Sequence, residues 1–300
     1  MSACRLCPRL CGADRAAGER GFCGMRDELR VVRAALHPFE EPPISGKRGS
    51  GTVFFVGCSL LCVFCQNRAI HADTVGKTLS ERQLADLFLL LQEKGAHNIN
   101  LVTATHFSHR VKKALELAKP HLRIPVIWNS GGYERVETLQ ELHGLVDIYL
   151  PDFKFLSDDL AALCANAPDY AELATAAICE MHRQVGEVCF DSEGMMMRGV
   201  MLRHLVLPSH RADSIAVLEH IARVLPVGEI RLSLMRQYTP EFLPQDAPRA
   251  LCRRVTSFEY DSVAQRAVAL GFEGFFQGRE SASAAFTPDF AEKNFLDLIV

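Results

Sequence analysis

From residue 49 onward, short apolar runs alternate with segments in which apolar residues recur every three or four positions. The short runs predict strands over 49–56, 98–103, 124–128, 146–150, 199–206 and 229–235, centred on Val53, Leu101, Val126, Ile148, Leu205 and Leu232. The three-to-four spacing predicts helices over 80–94, 109–118, 134–143, 159–164, 170–185, 213–224 and 262–270. Ser80 is placed to cap the first of these, with Glu81 in its first turn. Strands that alternate with helices in this way predict parallel βαβ units. Six units in about 220 residues are too few for a closed eight-unit barrel. The predicted fold class is therefore α/β, a partial (β/α)6 barrel open on one side, with a doubly wound open sheet as the alternative. Upstream, 30–36 reads as a short strand and 37–46 as an extended stretch stiffened by prolines.

Composition narrows the function classes. Three hundred residues with 48% hydrophobic content can fill one large α/β core. A net charge of -3 argues against a broad basic face for nucleic acid, although the first 34 residues hold seven arginines against four acids. No uninterrupted apolar run reaches membrane-spanning length, and the N-terminus shows no hydrophobic signal core. Eleven cysteines without such a signal read as metal ligands and free thiols in a reducing cytoplasm.

Two cysteine sets carry the candidate chemistry. Cys58, Cys62 and Cys65 form a C-x3-C-x2-C spacing directly after the first predicted core strand. Three thiolates can hold a [4Fe–4S] cluster at three irons and leave the fourth open, whereas electron-transfer clusters and structural zinc sites are closed by four ligands. No further Cys or His follows within five residues of Cys65, His71 being the nearest. Phe64 is placed to pack against a flat ring, and equally to be core.

Cys4, Cys7, Cys11 and Cys23 form the second set, among Pro8, Gly12, Gly18, Gly21 and Gly24, which suit tight turns. So short a segment cannot bury enough apolar surface to order itself, so metal ligation is its expected source of order. Four thiolates fit zinc or an auxiliary iron–sulfur cluster alike. Residues 1–35 are accordingly expected to be a cysteine-rich metal-binding segment and 36–300 the barrel. Cys164, Cys179, Cys189 and Cys252 are irregularly spaced and read as ordinary thiols.

Sites in parallel α/β barrels lie in the loops after the strands' C-terminal ends. Those positions hold Thr103 to His106, Asn129 to Gly132, Asp152 with Lys154, Arg203 with His204, His210, and Gln237 with Tyr238. Asp152 and Lys154 are two apart and face one side of an extended backbone, fit for the polar groups of a zwitterion or for a surface ion pair. Gly131 and Gly132 permit close backbone approach to a ligand, or a plain turn. Arg203 in an apolar strand requires a carboxylate partner. His106, His204 and His210 read as structural.

The chain resembles the radical S-adenosylmethionine (SAM) superfamily, and within it the activating enzyme of pyruvate formate-lyase and its iron–sulfur relatives. The residues carrying the resemblance are the cysteines of 4–11, Gly21 to Gly24, His37 with 40–46 (EEPPISG), the motif at 57–67, Asn129 to Gly132, Asp152 to Lys154, and 235–240. It implies a [4Fe–4S] cluster on Cys58, Cys62 and Cys65, with SAM chelating the open iron. It further implies SAM contacts from Phe64, Asn129, Asp152, Lys154, Arg203 and Gln237. The implied activity is one-electron cleavage of SAM to a 5′-deoxyadenosyl radical that abstracts hydrogen from a substrate. Cluster potentials span roughly -700 to +450 mV and this reduction needs the low end, so flavodoxin or ferredoxin is the implied electron donor. A protein substrate, as for an activase, is one alternative. Modification of a small molecule or another macromolecule is a second, and a non-catalytic iron–sulfur or zinc protein is a third. Thr103 to His106 stand where many relatives carry Gly-Gly-Glu, and Gln237-Tyr238 where the activase carries a histidine. The activase has no N-terminal four-cysteine knuckle.

Overall fold

The computed structural model describes residues 3–72, 75–283, 290 and 294–299. In chain order its strands are β1 (Arg30–His37), β2 (Ser50–Phe55), β3 (Lys77–Thr78), β4 (Ile99–Val102), β5 (Val126–Ser130), β6 (Ile148–Pro151), β7 (Cys189–Phe190), β8 (Met196–Leu205), β9 (Arg231–Met235) and β10 (Gly274–Phe276). Its helices are α1 (Pro42–Ser45), α2 (Glu81–Glu93), α3 (Ser108–Ala118), α4 (Val136–Gln140), α5 (Asp158–Ala165), α6 (Tyr170–Val185), α7 (Arg211–Val224) and α8 (Ser257–Ala269).

The six predicted core strands pair in parallel in the order β2-β4-β5-β6-β8-β9, each beside its successor in the repeat. That order runs one way without reversal, unlike a doubly wound sheet, whose order turns back at a switch point. β10 adds a seventh parallel strand beside β9, while β1 and then β3 extend the other end antiparallel. Every residue of β2, β5 and β6 is buried, as expected for strands covered on both faces. Helix α2 starts at a capping box: the Gln83 N–H donates to Ser80 Oγ at 3.2 Å, and the Ser80 N–H donates to Gln83 Oε1 at 2.9 Å.

Several segments differ from the sequence reading. The helix expected over 262–270 is α8, which begins earlier, at Ser257, behind a Thr256–Glu259 capping box. β3, β7 and β10 were not expected. The stretch 37–46 is not extended throughout, because Pro42 and Pro43 open the one-turn helix α1. Proline at the first helical positions forfeits no hydrogen bond and presets φ. The helix expected over 134–143 shrinks to Val136–Gln140. Glu134 turns inward instead, where its carboxylate accepts from Thr105 Oγ1 at 2.5 Å and from Trp128 Nε1 at 3.3 Å.

Candidate functional site

The cysteine loop leaves β2 at Gly57, whose φ of +85° puts it in the left-handed region. A Cβ there would sit 2.6 Å from Met25 Cγ and 2.8 Å from the Cys23 carbonyl oxygen, so only glycine fits. Leu61 is also left-handed, at φ 52°, immediately before Cys62. A branched-chain residue held in that region is strained and persists only where the surroundings enforce it. They do: the Val63 N–H donates to the Cys164 carbonyl at 2.9 Å, Gly57 N–H to Ile70 O at 2.9 Å, and Arg9 Nε to Ser59 O at 2.8 Å.

Cys58, Cys62 and Cys65 line one cavity of about 230 Å3 at the C-terminal ends of the parallel strands. The same cavity is lined by Phe64, Asn129, Gly131, Asp152, Lys154, Arg203 and Gln237, so every residue singled out for contact with the Cys58–Cys65 cluster or with SAM reaches it. Burial pushes the Cys62 and Cys65 thiols up to about 12, so both are protonated unless a bound cation displaces the proton. Among the described residues, no three His, Cys, Asp or Glu side chains converge tightly enough to chelate a single ion. Thiolates on a cubane bind separate irons and stand further apart than ligands of one ion. Three soft, neighbouring donors fit a cluster whose thiolates stand on separate irons. His71 lines the cavity as well, while Cys164 sits in α5 against the back of the loop and does not.

Below the thiols lies a buried charge network. Arg203 Nε donates to Asp152 Oδ1 at 2.8 Å, its Nη2 to Asn129 Oδ1 at 2.6 Å, and its Nη1 reaches Glu40 Oε2 at 3.4 Å. Lys154 Nζ pairs with Asp152 Oδ2. The carboxylate that Arg203 required is thus Asp152, and Glu40 is a second. Burial by itself raises the Asp152 carboxyl, but Arg203 and Lys154 more than reverse that and hold it below the carboxylate range. Burial depresses Lys154 and Arg203 in turn, and the carboxylates reverse both upward. For Glu40 burial wins over Arg203 and Asn100, so its carboxyl is raised. Neighbouring Glu41 is raised by burial likewise, and its Oε2 is buried without a hydrogen-bond partner.

Some residues serve otherwise than the sequence alone indicates. Gly132 meets its own protein: at φ +76° an added Cβ would overlap the Asp152 carbonyl oxygen and lie 3.1 Å from the Tyr170 hydroxyl. Gly131 does face the cavity, where a Cβ would strike Leu60 Cδ1 at 2.6 Å. Gly132→Ala therefore combines a left-handed cost of about 1–2 kcal/mol with about 1–3 kcal/mol of overpacking. Its urea midpoint is expected to fall accordingly, and an unchanged midpoint would contradict this packing. Phe64 is both core and lining, with edge-on contacts to Phe155 and Tyr238 at 6.1 Å each. Gln237 accepts from Gln277 Nε2 at 3.0 Å, a partner on a segment the sequence left unassigned. His106 and His204 bond backbone carbonyls of Val56 and Phe153, as structural histidines do. Glu40 was not assigned a site role from the strand-end rule, because it precedes the repeating strand–helix units; two adjacent acids amid prolines were the available signal.

Glu134 is a second outcome of this packing. Burial raises its carboxyl to about 7 against an ordinary 4.5, over the opposing hydrogen bonds from Thr105, Ser130 and Trp128. The folded state therefore binds the proton more tightly than the unfolded chain. Its contribution is fully present below about 4.5 and is lost as pH rises through about 7. Glu134→Gln, fixed in the neutral form, should gain roughly 3 kcal/mol on wild type between pH 5 and pH 8. Parallel denaturation profiles of the two chains over that range would refute the assignment.

Residues 52–191, from within β2 through β7, match the family model of the Radical SAM superfamily. The chain is 29% identical over 271 residues to an uncharacterized protein of Methanocaldococcus jannaschii, covering 88% of this chain and 74% of that one. Its fold is similar to that of a radical SAM methyltransferase from Sphaerobacter thermophilus, with TM-score 0.52, 16% identity, and coverage of 78% of this chain and 69% of that one. It is also similar to Streptococcus suis SuiB, solved with its precursor peptide SuiA, with TM-score 0.51, 8% identity, and coverage of 81% and 52%. At these identities the two structures speak for the fold alone.

Proposed function

We propose, starting from the match of residues 52–191 to the Radical SAM superfamily, that the chain is an enzyme that cleaves SAM reductively at a cluster held by Cys58, Cys62 and Cys65. The observation that carries this reading is the convergence of those three thiols with the Asp152–Lys154–Arg203 network in one cavity. A [4Fe–4S] cluster with SAM on its open iron supplies one-electron cleavage of the sulfonium bond and a 5′-deoxyadenosyl radical for hydrogen abstraction.

The chain's own residues bind, orient and exclude water. The carboxylates of Asp152 and Glu40 and the cations of Lys154 and Arg203 offer complementary charge to the ammonium and carboxylate of an amino acid. Because Asn129 and Arg203 hold each other, these groups are fixed before ligand arrives. Gly131 lets a ligand approach the backbone beside Leu60. Phe64 and Tyr238 give the cavity an aromatic wall that suits an adenine face and keeps reactive carbon away from water. The sheet is taken as a partial (β/α)6 barrel with its mouth at this cavity, in a cytoplasmic protein served by flavodoxin or ferredoxin.

Anaerobically reconstituted protein with SAM and dithionite tests the reading: 5′-deoxyadenosine should accumulate, and intact SAM after full cluster loading would overturn it. The narrower, activase form of the proposal predicts a glycyl-radical EPR doublet on a partner protein. Action on a small molecule or other macromolecule predicts a new product mass without that doublet.

A further inference from the structure

The N-terminal knuckle contains a buried cation that pairs with no carboxylate among the described residues. Arg15 is 5% exposed, and among the described residues it makes no ion pair. Its guanidinium donates to the carbonyls of Arg26, at 3.1 and 2.6 Å, and of His106, at 2.6 Å. Its remaining polar neighbour is Cys4 Sγ at 3.8 Å. A guanidinium taken out of water needs an anion close by. The groups around Arg15 able to provide one are thiols. The Cβ position of Gly21 lies 3.3 Å from Cys11 Sγ, 3.5 Å from Cys23 Sγ and 3.6 Å from Arg15 Cδ, so all three crowd one point. Cys4 and Cys11 are in hydrogen-bond contact, and Cys7 lies within electrostatic reach of Cys4 and Cys23. Leu10, just before Cys11, takes φ 40°, the same left-handed bend that Leu61 makes just before Cys62. Two C-x3-C segments of this chain thus share one unfavourable turn, which aims the second thiol of each.

We propose that Cys4, Cys7, Cys11 and Cys23 hold a closed, soft-metal thiolate centre, charge-compensated by buried Arg15, that braces the Cys58–Cys65 loop from behind. Four thiolates on zinc, or on a [4Fe–4S] cluster, leave net negative charge, which supplies the anion Arg15 lacks. Each ligand thiol gives up its proton on binding. The thiols need to close in by side-chain rotation, since no three of the described donors converge on a single ion as they stand. The bracing is direct: the Cys23 carbonyl and Met25 press on Gly57, and Arg9, between Cys7 and Cys11, holds Ser59 O and donates to Ala165 O at 2.7 Å. Only this bracing role rests on the radical SAM reading. The metal centre stands independently of it.

The test uses the full chain with Cys58, Cys62 and Cys65 all changed to Ser, so that only the N-terminal thiols remain to hold metal in either motif. Zinc, iron and sulfide are then quantified per chain. One zinc, or four irons with sulfide, retained per chain and lost on adding Cys4→Ser and Cys23→Ser supports the proposal. Metal at background in a chain that still melts cooperatively overturns it. If the triple variant does not fold, Arg15→Met in the otherwise native chain decides. It keeps all four thiols and should make the N-terminal metal about 10- to 100-fold easier to strip with a chelator, as loss of an outer partner does. Metal retention equal to that of the native chain would overturn the charge argument.

Discussion

Cys62→Ala should reduce 5′-deoxyadenosine formation from SAM and dithionite to background, together with loss of the iron held at the cavity. Cys62 is the deepest of the three thiols, 8% exposed, with Lys154 and Asp152 within electrostatic reach. Its removal leaves two thiolates for four irons, below what holds a cluster. Cys58→Ala and Cys65→Ala should behave alike, since in the proposed cluster each thiol would serve a different iron. Cys164→Ala is the discriminating control. Cys164 is fully buried and its carbonyl braces Val63, yet its side chain does not line the cavity. That variant should keep iron and cleavage and lose only some packing, because the backbone hydrogen bond survives the substitution. Retained product in Cys62→Ala, or loss of iron in Cys164→Ala, would move the cluster away from the 58–65 loop.

Arg203→Met should have the largest effect on stability. Arg203 is 14% exposed and holds Asp152 and Glu40, which are 13% and 11% exposed, with Glu41 also in its field. Deleting the cation leaves these buried carboxylates underpaired, a loss of about 3–5 kcal/mol where one partner of a buried pair is removed. The urea midpoint should fall accordingly, and SAM binding should weaken with it. Glu40→Gln in the same chain should recover part of the stability, because one uncompensated charge goes with it. Arg203→Lys should fall between, since a single ammonium cannot reproduce the fork that reaches Asp152, Asn129 and Glu40 together. A midpoint unchanged in Arg203→Met would mean the network is not charge-balanced as described.

How much of this was legible beforehand follows from where each residue sits in the repeat. The six core strands announce themselves because burial on both faces makes them continuous apolar runs. β10 does not: Gly274–Phe276 is three residues long, opens on a glycine at φ +151°, and has no alternation. β3 and β7 are two residues each and depend on tertiary pairing alone. α1 was hidden by its prolines, which signal extension by default and a helix start only in context. In the site, Asn129, Asp152, Lys154 and Arg203 were found by one rule, that barrel chemistry gathers at strand ends. Glu40 escaped that rule because it enters from the loop after β1, outside the repeat. Gln277 escaped it because β10, the strand it follows, was not recognised. Arg15 carried no sequence signal at all; its meaning lies in burial without a carboxylate partner among the described residues, which only packing reveals.

In the proposed site, one iron of a cluster on Cys58, Cys62 and Cys65 is left free by the protein for SAM to chelate. This proposal is tested most directly by electron–nuclear double resonance on the reduced, reconstituted chain with SAM isotopically labelled in its amino nitrogen and carboxylate oxygens. Hyperfine coupling of both labels to the cluster is the expected result, lost in Cys62→Ala. A reduced cluster whose spectrum is blind to labelled SAM at saturating concentration would contradict it.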